Sequence, residues 1–256
     1  MKILIYQDYV HNNGALYRAL CRQFGVDNVH FADAADIAGG ALGGGVKLLV
    51  MPGGADLYYT EKLNGTGNAA IRAYVENGGV YLGICAGAYY ACREIEWAMG
   101  TAQEITGPRE LAFFPGKAVG PLMSIIEDNN IEKSWHGAPE IIYDDGAYQM
   151  EARVHYAGGP VFIPAEKDGF TVLARYESGE NAIVECPVGA GKAILCSPHL
   201  ERAYEDVMRC LYKNKNPSYA WEKKAAEDLR SSETQARRLW AQVLLRCVGT
   251  RKQAAA

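Results

Sequence analysis

Three short stretches carry residue types that could do covalent chemistry. The first is Gly83-Ile84-Cys85-Ala86-Gly87, at the end of the apolar run Val80–Ile84. A nucleophile elbow needs this spacing, because its central residue sits on a sharp strand-to-helix turn. The positions two away on either side must be tiny, since a Cβ there would collide with the strand or with the helix start. A cysteine at such a helix N-terminus is expected to ionise readily, because free N–H groups and the helix dipole favour thiolate. The bland alternative, a small core hydrophobe between two packing glycines, stays open at this point.

The second stretch is Met51-Pro52-Gly53-Gly54-Ala55-Asp56, at the end of another apolar run. A Gly-Gly turn can aim backbone N–H groups outward with no side chain in the way. Paired with the N–H of Ala86, it could hold the oxyanion of a tetrahedral intermediate; an ordinary strand-to-loop turn reads the same. The third is Ser197-Pro198-His199-Leu200-Glu201. His199 is placed to act as base towards Cys85, and Glu201 to accept from the other ring nitrogen and fix the tautomer. His155 is equally readable as pocket wall or core. His11, His30 and His136 lack an obvious partner and are expected to be structural or solvated. The histidines and cysteines are too dispersed for a metal site. Gly39–Gly45 and Gly189–Gly191 fit no phosphate-loop pattern, so no metal or other cofactor is expected.

These residues need a scaffold that brings strand ends together. Ile3–Tyr6, Val46–Met51 and Val80–Ile84 read as buried strands, with helices over Ala15–Phe24 and Ala69–Glu76 between them. Strands apolar on both faces, alternating with helices, predict a mostly parallel sheet covered on both sides. In such sheets ligands sit at the carboxyl ends of the strands. Ile141–Asp144, Gln149–Tyr156, Pro160–Ile163 and Phe170–Glu177 predict an antiparallel excursion. Asn181–Glu185 and Lys192–Cys196 predict a closing hairpin, followed by a helix over Arg202–Leu211. Beyond Pro217, Leu229, Leu239, Trp240, Val243 and Cys247 fall on one face of a C-terminal helix ending at Gly249. Its apolar stripe is expected to pack on the α/β body or on a second copy of the chain, giving a homo-oligomer. Residues 1–216 thus read as an α/β domain and 217–256 as a helical extension, with Thr250–Ala256 frayed.

At 256 residues the chain can bury a full core, and a net charge of −4 leaves no basic stripe for nucleic acid. The apolar start Met1–Tyr6 is too short for a membrane span or a signal sequence. Seven cysteines without a Cys-x-x-Cys pair predict a reducing compartment, the cytoplasm by default.

Taken together and in this order, Met51-Pro52-Gly53-Gly54 with Asp56, Gly83 through Tyr89, Tyr156 with Gly158-Gly159, and Ser197 through Glu201 resemble the class I glutamine-amidotransferase-like superfamily. Within it they are most similar to the domain that forms the N-terminal region of eukaryotic biotin-protein ligases. The resemblance spans most of residues 1–210 and implies a flavodoxin-like sheet. It also implies Cys85, His199 and Glu201 as a catalytic triad, Gly54 and Ala86 as oxyanion donors, and Gly53, Asp56, Tyr89, Tyr156 and Gly158 about the substrate. Tyr89 stands where the superfamily places a glutamine, and no biotin-ligase catalytic segment is present. The function this implies is a cysteine hydrolase or amidotransferase-like activity on an amide or related acyl group, not on free glutamine. A non-catalytic ligand-binding or regulatory module is the alternative. With Tyr90, Tyr58 and Tyr59 near the same mouth, a flat or apolar small-molecule substrate is favoured.

Overall fold

In the computed structural model, which describes residues 1–8, 13–213 and 218–249, the first ninety residues alternate strand and helix. They form β1 (Lys2–Tyr6), α1 (Gly14–Phe24), β2 (Val29–Ala32), α2 (Ala34–Ala38), β3 (Val46–Met51), α3 (Asp56–Leu63), α4 (Thr66–Glu76), β4 (Val80–Ile84) and α5 (Ala86–Tyr90). Strands then dominate: β5 (Cys92–Trp97), β6 (Ile105–Pro108), β7 (Phe114–Gly120), β8 (His136–Gly137), β9 (Glu140–Asp144) and β10 (Gln149–Arg153). They continue with β11 (Tyr156–Ala157), β12 (Val161–Pro164), β13 (Thr171–Tyr176), β14 (Asn181–Val188) and β15 (Gly191–Cys196). Helices α6 (Tyr204–Lys213), α7 (Tyr219–Ser231) and α8 (Glu233–Val248) follow.

The main sheet runs β10-β9-β13-β14-β15-β4-β3-β1-β2. From β2 to β15 every pairing is parallel, and from β15 to β10 every pairing is antiparallel. The fold is therefore α/β, with a flavodoxin-like parallel part and an antiparallel excursion. Alternation along the parallel strands sorts the core into two layers. Ile3, Ile5, Leu48, Val50, Leu82 and Ile84 face α1 and α8, where Leu20, Leu239, Val243 and Leu244 are buried. Leu4, Tyr6, Leu49, Met51 and Tyr81 face the other way, onto Tyr59, Leu63, Ile71 and Val75 of α3 and α4.

Three features depart from the expectations. Pro160–Ile163 does not join the main sheet; β12 pairs with β7 in a second sheet, ordered β12-β7-β5-β6, that the sequence reading left undivided. The strand expected to reach Tyr156 stops at Arg153, because His155 turns aside to bridge His199. The single C-terminal helix is two. Ser231 Oγ donates back to Asp228 O at 2.7 Å, and Ser232, at φ −116° and ψ 15°, ends α7 and starts α8. Hydroxyls that bond the backbone locally break helices in this way. His11 and Thr250–Ala256 lie outside the described residues. Among the described residues no helix is long and apolar enough to cross a membrane.

Candidate functional site

Strands β3, β4 and β15 lie side by side and parallel, with Met51 opposite Gly83 and Ile84 opposite Cys196. Each of the three stretches leaves the carboxyl end of one of them, so the fold brings Gly53, Cys85 and His199 to one point. A Cβ placed on Gly53 would meet His199 Cε1 at 2.5 Å, His199 Nε2 at 3.1 Å and Cys85 Cβ at 3.3 Å. Glycine is required here because the imidazole and the cysteine both press on its Cα.

Cys85 sits at φ 50° and ψ −106°, a strained conformation for a non-glycine residue. The flanking glycines permit it: a Cβ on Gly87 would lie 2.1 Å from Met51 O, and one on Gly83 2.5 Å from Gly87 O. The backbone N–H groups of Ala86 and Gly54 are near enough to the sulfur to pull its pKa down. The sulfur also approaches Ala157 O at 3.5 Å.

The expectation of a readily ionised thiol does not hold. Burial pushes the Cys85 thiol up to about 12, against the opposing pull of Arg202 and of the two N–H groups. Helix α5 has only five residues, too few to build much of a dipole. His199 is likewise held neutral: burial lowers it below the usual imidazole range, Arg202 adds to this, and Glu201 only partly opposes them. The Glu201 carboxyl is held below its usual range, so it accepts from His199 Nδ1 at Oε1 over 2.7 Å, which turns Nε2 towards Gly53 and Cys85. No hydrogen bond joins Cys85 to His199 among the described residues.

His136 and His155 extend this dyad, against the expectation that His136 stands alone. His199 N donates to His155 O at 2.8 Å, and His155 Nε2 lies 3.1 Å from His136 Nδ1 with the rings stacked. Burial lowers His136 to about 4 and holds His155 well below its ordinary value, so both are neutral near pH 7. Despite this cluster, no group of three or more His, Cys, Asp or Glu side chains among the described residues is arranged to hold a metal.

The three strand ends open into a cavity of about 670 Å³ between the main sheet and the small one. Gly53, Gly54, Asp56, Cys85, Ala86, Tyr89, Gly158, His199 and Glu201 all line it, joined by Trp97, Trp135, His136 and Arg202. Tyr89 donates to Gly158 O at 3.1 Å, which fixes its ring across the site. Edge-to-face contacts run from Tyr89 to Trp97 at 5.9 Å and from Trp97 to Trp135 at 5.6 Å. Asp56 is buried and bound to Arg109 Nε at 2.7 Å.

Tyr156 is not at the cavity. Its hydroxyl accepts from Leu122 N and donates to Gly159 O, so it braces the loop behind Gly158. The aromatic mouth expected from Tyr58, Tyr59 and Tyr90 is built by other rings. Tyr59 and Tyr90 are fully buried and bonded to Pro52 O and Asn68 Oδ1, and Tyr58 does not line the cavity. Trp97, Trp135 and Arg202 escaped the sequence reading. Only Arg202 had a local signal, its place directly after Glu201.

Helix α7 holds the Trp135-His136 wall from outside. Trp221 Nε1 donates to His136 O at 2.7 Å, and Ser218 Oγ to Lys133 O at 2.5 Å. The buried Glu222 accepts from Ser134 Oγ at 2.9 Å, and that oxygen accepts from His136 N.

Residues 5–255 match the family model described as "Biotin-protein ligase, N terminal". The chain belongs to that family. The match takes in α7 and α8, which the motif-level resemblance left out. It is 30% identical to the biotin–protein ligase of Schizosaccharomyces pombe over 80% of this chain and 34% of that one. An uncharacterized protein of Chlamydia muridarum is 35% identical over 60% of each. The chain thus spans about a third and three fifths of these relatives. In fold it is similar to a glutamine amidotransferase from Thermotoga maritima, with TM-score 0.59, 15% identity and near-complete coverage of both chains. A putative ThuA-like protein from Bacteroides uniformis gives TM-score 0.52 at 11% identity, covering 100% of this chain and 94% of that one.

Proposed function

We propose that this biotin-protein ligase N-terminal family member is a cysteine-dependent hydrolase of the amidotransferase-like kind, acting on an amide or related acyl group. One observation carries the reading: the Cys85 sulfur faces the N–H groups of Ala86 and Gly54 on a strained elbow, with His199 beside it. Both partners start neutral, so the proton moves as the bond forms. Cys85 Sγ attacks the acyl carbon while its proton passes to His199 Nε2, and the carbonyl oxygen becomes an oxyanion held by the two N–H groups. Glu201 stabilises the imidazolium so formed. Collapse breaks the bond to the leaving amine, which takes the proton from His199 and leaves a thioester. Water then attacks, giving its proton to His199; the thiol recovers it as the acid departs.

Free glutamine is not the substrate in this reading, because Tyr89 fills the position with a ring already bonded to Gly158 O. The test is amine or ammonia release from a panel of aromatic carboxamides and from glutamine, with wild type, Cys85→Ala and His199→Asn. Release from a carboxamide that both substitutions abolish supports the hydrolase. A second reading, a ligand-binding or regulatory module, is favoured by the thiol's neutrality and its lack of a bond to His199. Ligand binding that survives Cys85→Ala, with no release by wild type, would decide for it.

A further inference from the structure

Arg202 is the one lysine or arginine that lines the 670 Å³ cavity among the described residues. The other charged groups there are otherwise engaged: Asp56 pairs with Arg109, Glu201 with His199, and Glu104 accepts from Gly100 N. Arg202 has only a loose contact, its Nε lying 3.7 Å from Glu201 Oε1, well beyond hydrogen-bond length. Glu201 Oε2, buried nearby, has no hydrogen-bond partner among the described residues. If the guanidinium served to satisfy Glu201, it would donate to that oxygen; instead its fork of donors makes no hydrogen bond among the described residues. Its charge bears on Cys85, His136, His155 and His199, which line or adjoin the cavity. Across the cavity the wall is aromatic, from Tyr89 through Trp97 to Trp135, which is 43% exposed.

We infer that Arg202 anchors an anionic oxyacid group, carboxylate or phosphate, on a substrate whose flat apolar body stacks on Trp97 and Trp135. A guanidinium fork matches either group with two parallel bonds. This names the substrate class for the site proposed above, and it rests on that site being the binding cavity, not on turnover.

The test is therefore a binding measurement. Quenching of tryptophan fluorescence is titrated with 4-phenylbutanoate, 3-phenylpropyl phosphate and the uncharged 4-phenylbutanamide, using wild type and the Cys85→Ala protein. Both anions are expected to bind at least ~10-fold more tightly than the amide, a difference of about 1.4 kcal/mol. Arg202→Gln should erase that preference, and Arg202→Lys should keep part of it. Preference for one anion alone identifies the group. Equal binding of all three probes, no binding by any at millimolar concentration, or an unchanged preference in a folded Arg202→Gln protein would overturn the inference. Thermal melting of both variants identifies a loss of folding. Loss of binding in Arg202→Gln through misfolding leaves Arg202→Lys to decide. Failure of the hydrolase reading would show as intact binding without amine release.

Discussion

At the scale of single residues, the site is governed by burial rather than by its helix terminus. Cys85 and His199 are both held in their neutral forms, so the proposed reaction has proton transfer within it and not as a precondition. Brief alkylation with iodoacetamide at pH 7.5 is accordingly expected to label the exposed Cys210 before Cys85. Cys85 labelling should rise steeply only in alkaline solution. Mass-spectrometric mapping that finds Cys85 modified first at pH 7.5 would contradict the neutral-thiol description. The histidines make a second prediction, for stability. Unfolded, His136 takes a proton near pH 6.5, whereas folded it resists until about 4. Between those values the unfolded chain binds more protons than the folded one, so stability falls as pH drops. His155 and His199 are shifted in the same direction and add to the effect. The melting temperature should therefore decline from pH 7 to pH 4.5, and His136→Asn should make that decline shallower. A midpoint flat across the range would remove the basis for buried neutral imidazoles.

At the scale of elements, the strand-end geometry rests on close backbone approaches. Gly87→Ala would drive a Cβ into Met51 O, and neither α5 nor β3 can yield without breaking the elbow. We expect a loss of about 3 kcal/mol or more, which for a chain of this size lowers the melting temperature by roughly 6–12 °C. Thermal denaturation of the purified variant checks it, and an unchanged midpoint would show that the elbow relaxes. Such contacts were legible in advance because an elbow leaves no room for a Cβ two positions either side of its central residue. The parallel strands β1, β3 and β4 were legible too, as short runs buried on both faces. The small sheet was not. Cys92–Trp97 carries Arg93, Glu94 and Glu96, and the pattern of exposure along it shows neither a clean alternation nor a continuous apolar run. The cavity's aromatic wall was hidden for the same reason. Trp97 and Trp135 are 38 positions apart and meet only because that sheet folds back, and no periodicity in sequence encodes such a meeting.

At the scale of the whole molecule, helix α8 belongs to the same core as the strands whose ends form the site. Leu239, Val243 and Leu244 are fully buried against β3 and β4, and Arg246 forks onto Glu185 of β14 with two bonds of 2.9 Å. Leu239→Ala should cost about 2–5 kcal/mol, the range for emptying a buried leucine site. Chemical denaturation would register this as a lower midpoint. A change under ~0.5 kcal/mol would mean that α8 contributes little to the fold. Helix α7 has a different bearing. It is tied by Trp221, Glu222 and Ser218 to the segment carrying Trp135 and His136, which makes that helix and the cavity mechanically one object. Whatever stiffens the wall must also quiet the helix, since coupling between two places runs equally in both directions. The amide protons of residues 219–231 should then exchange more slowly when a ligand fills the cavity, turning a distant stretch of backbone into a gauge of occupancy. Exchange rates there that ignore a saturating ligand would show the ties to be slack.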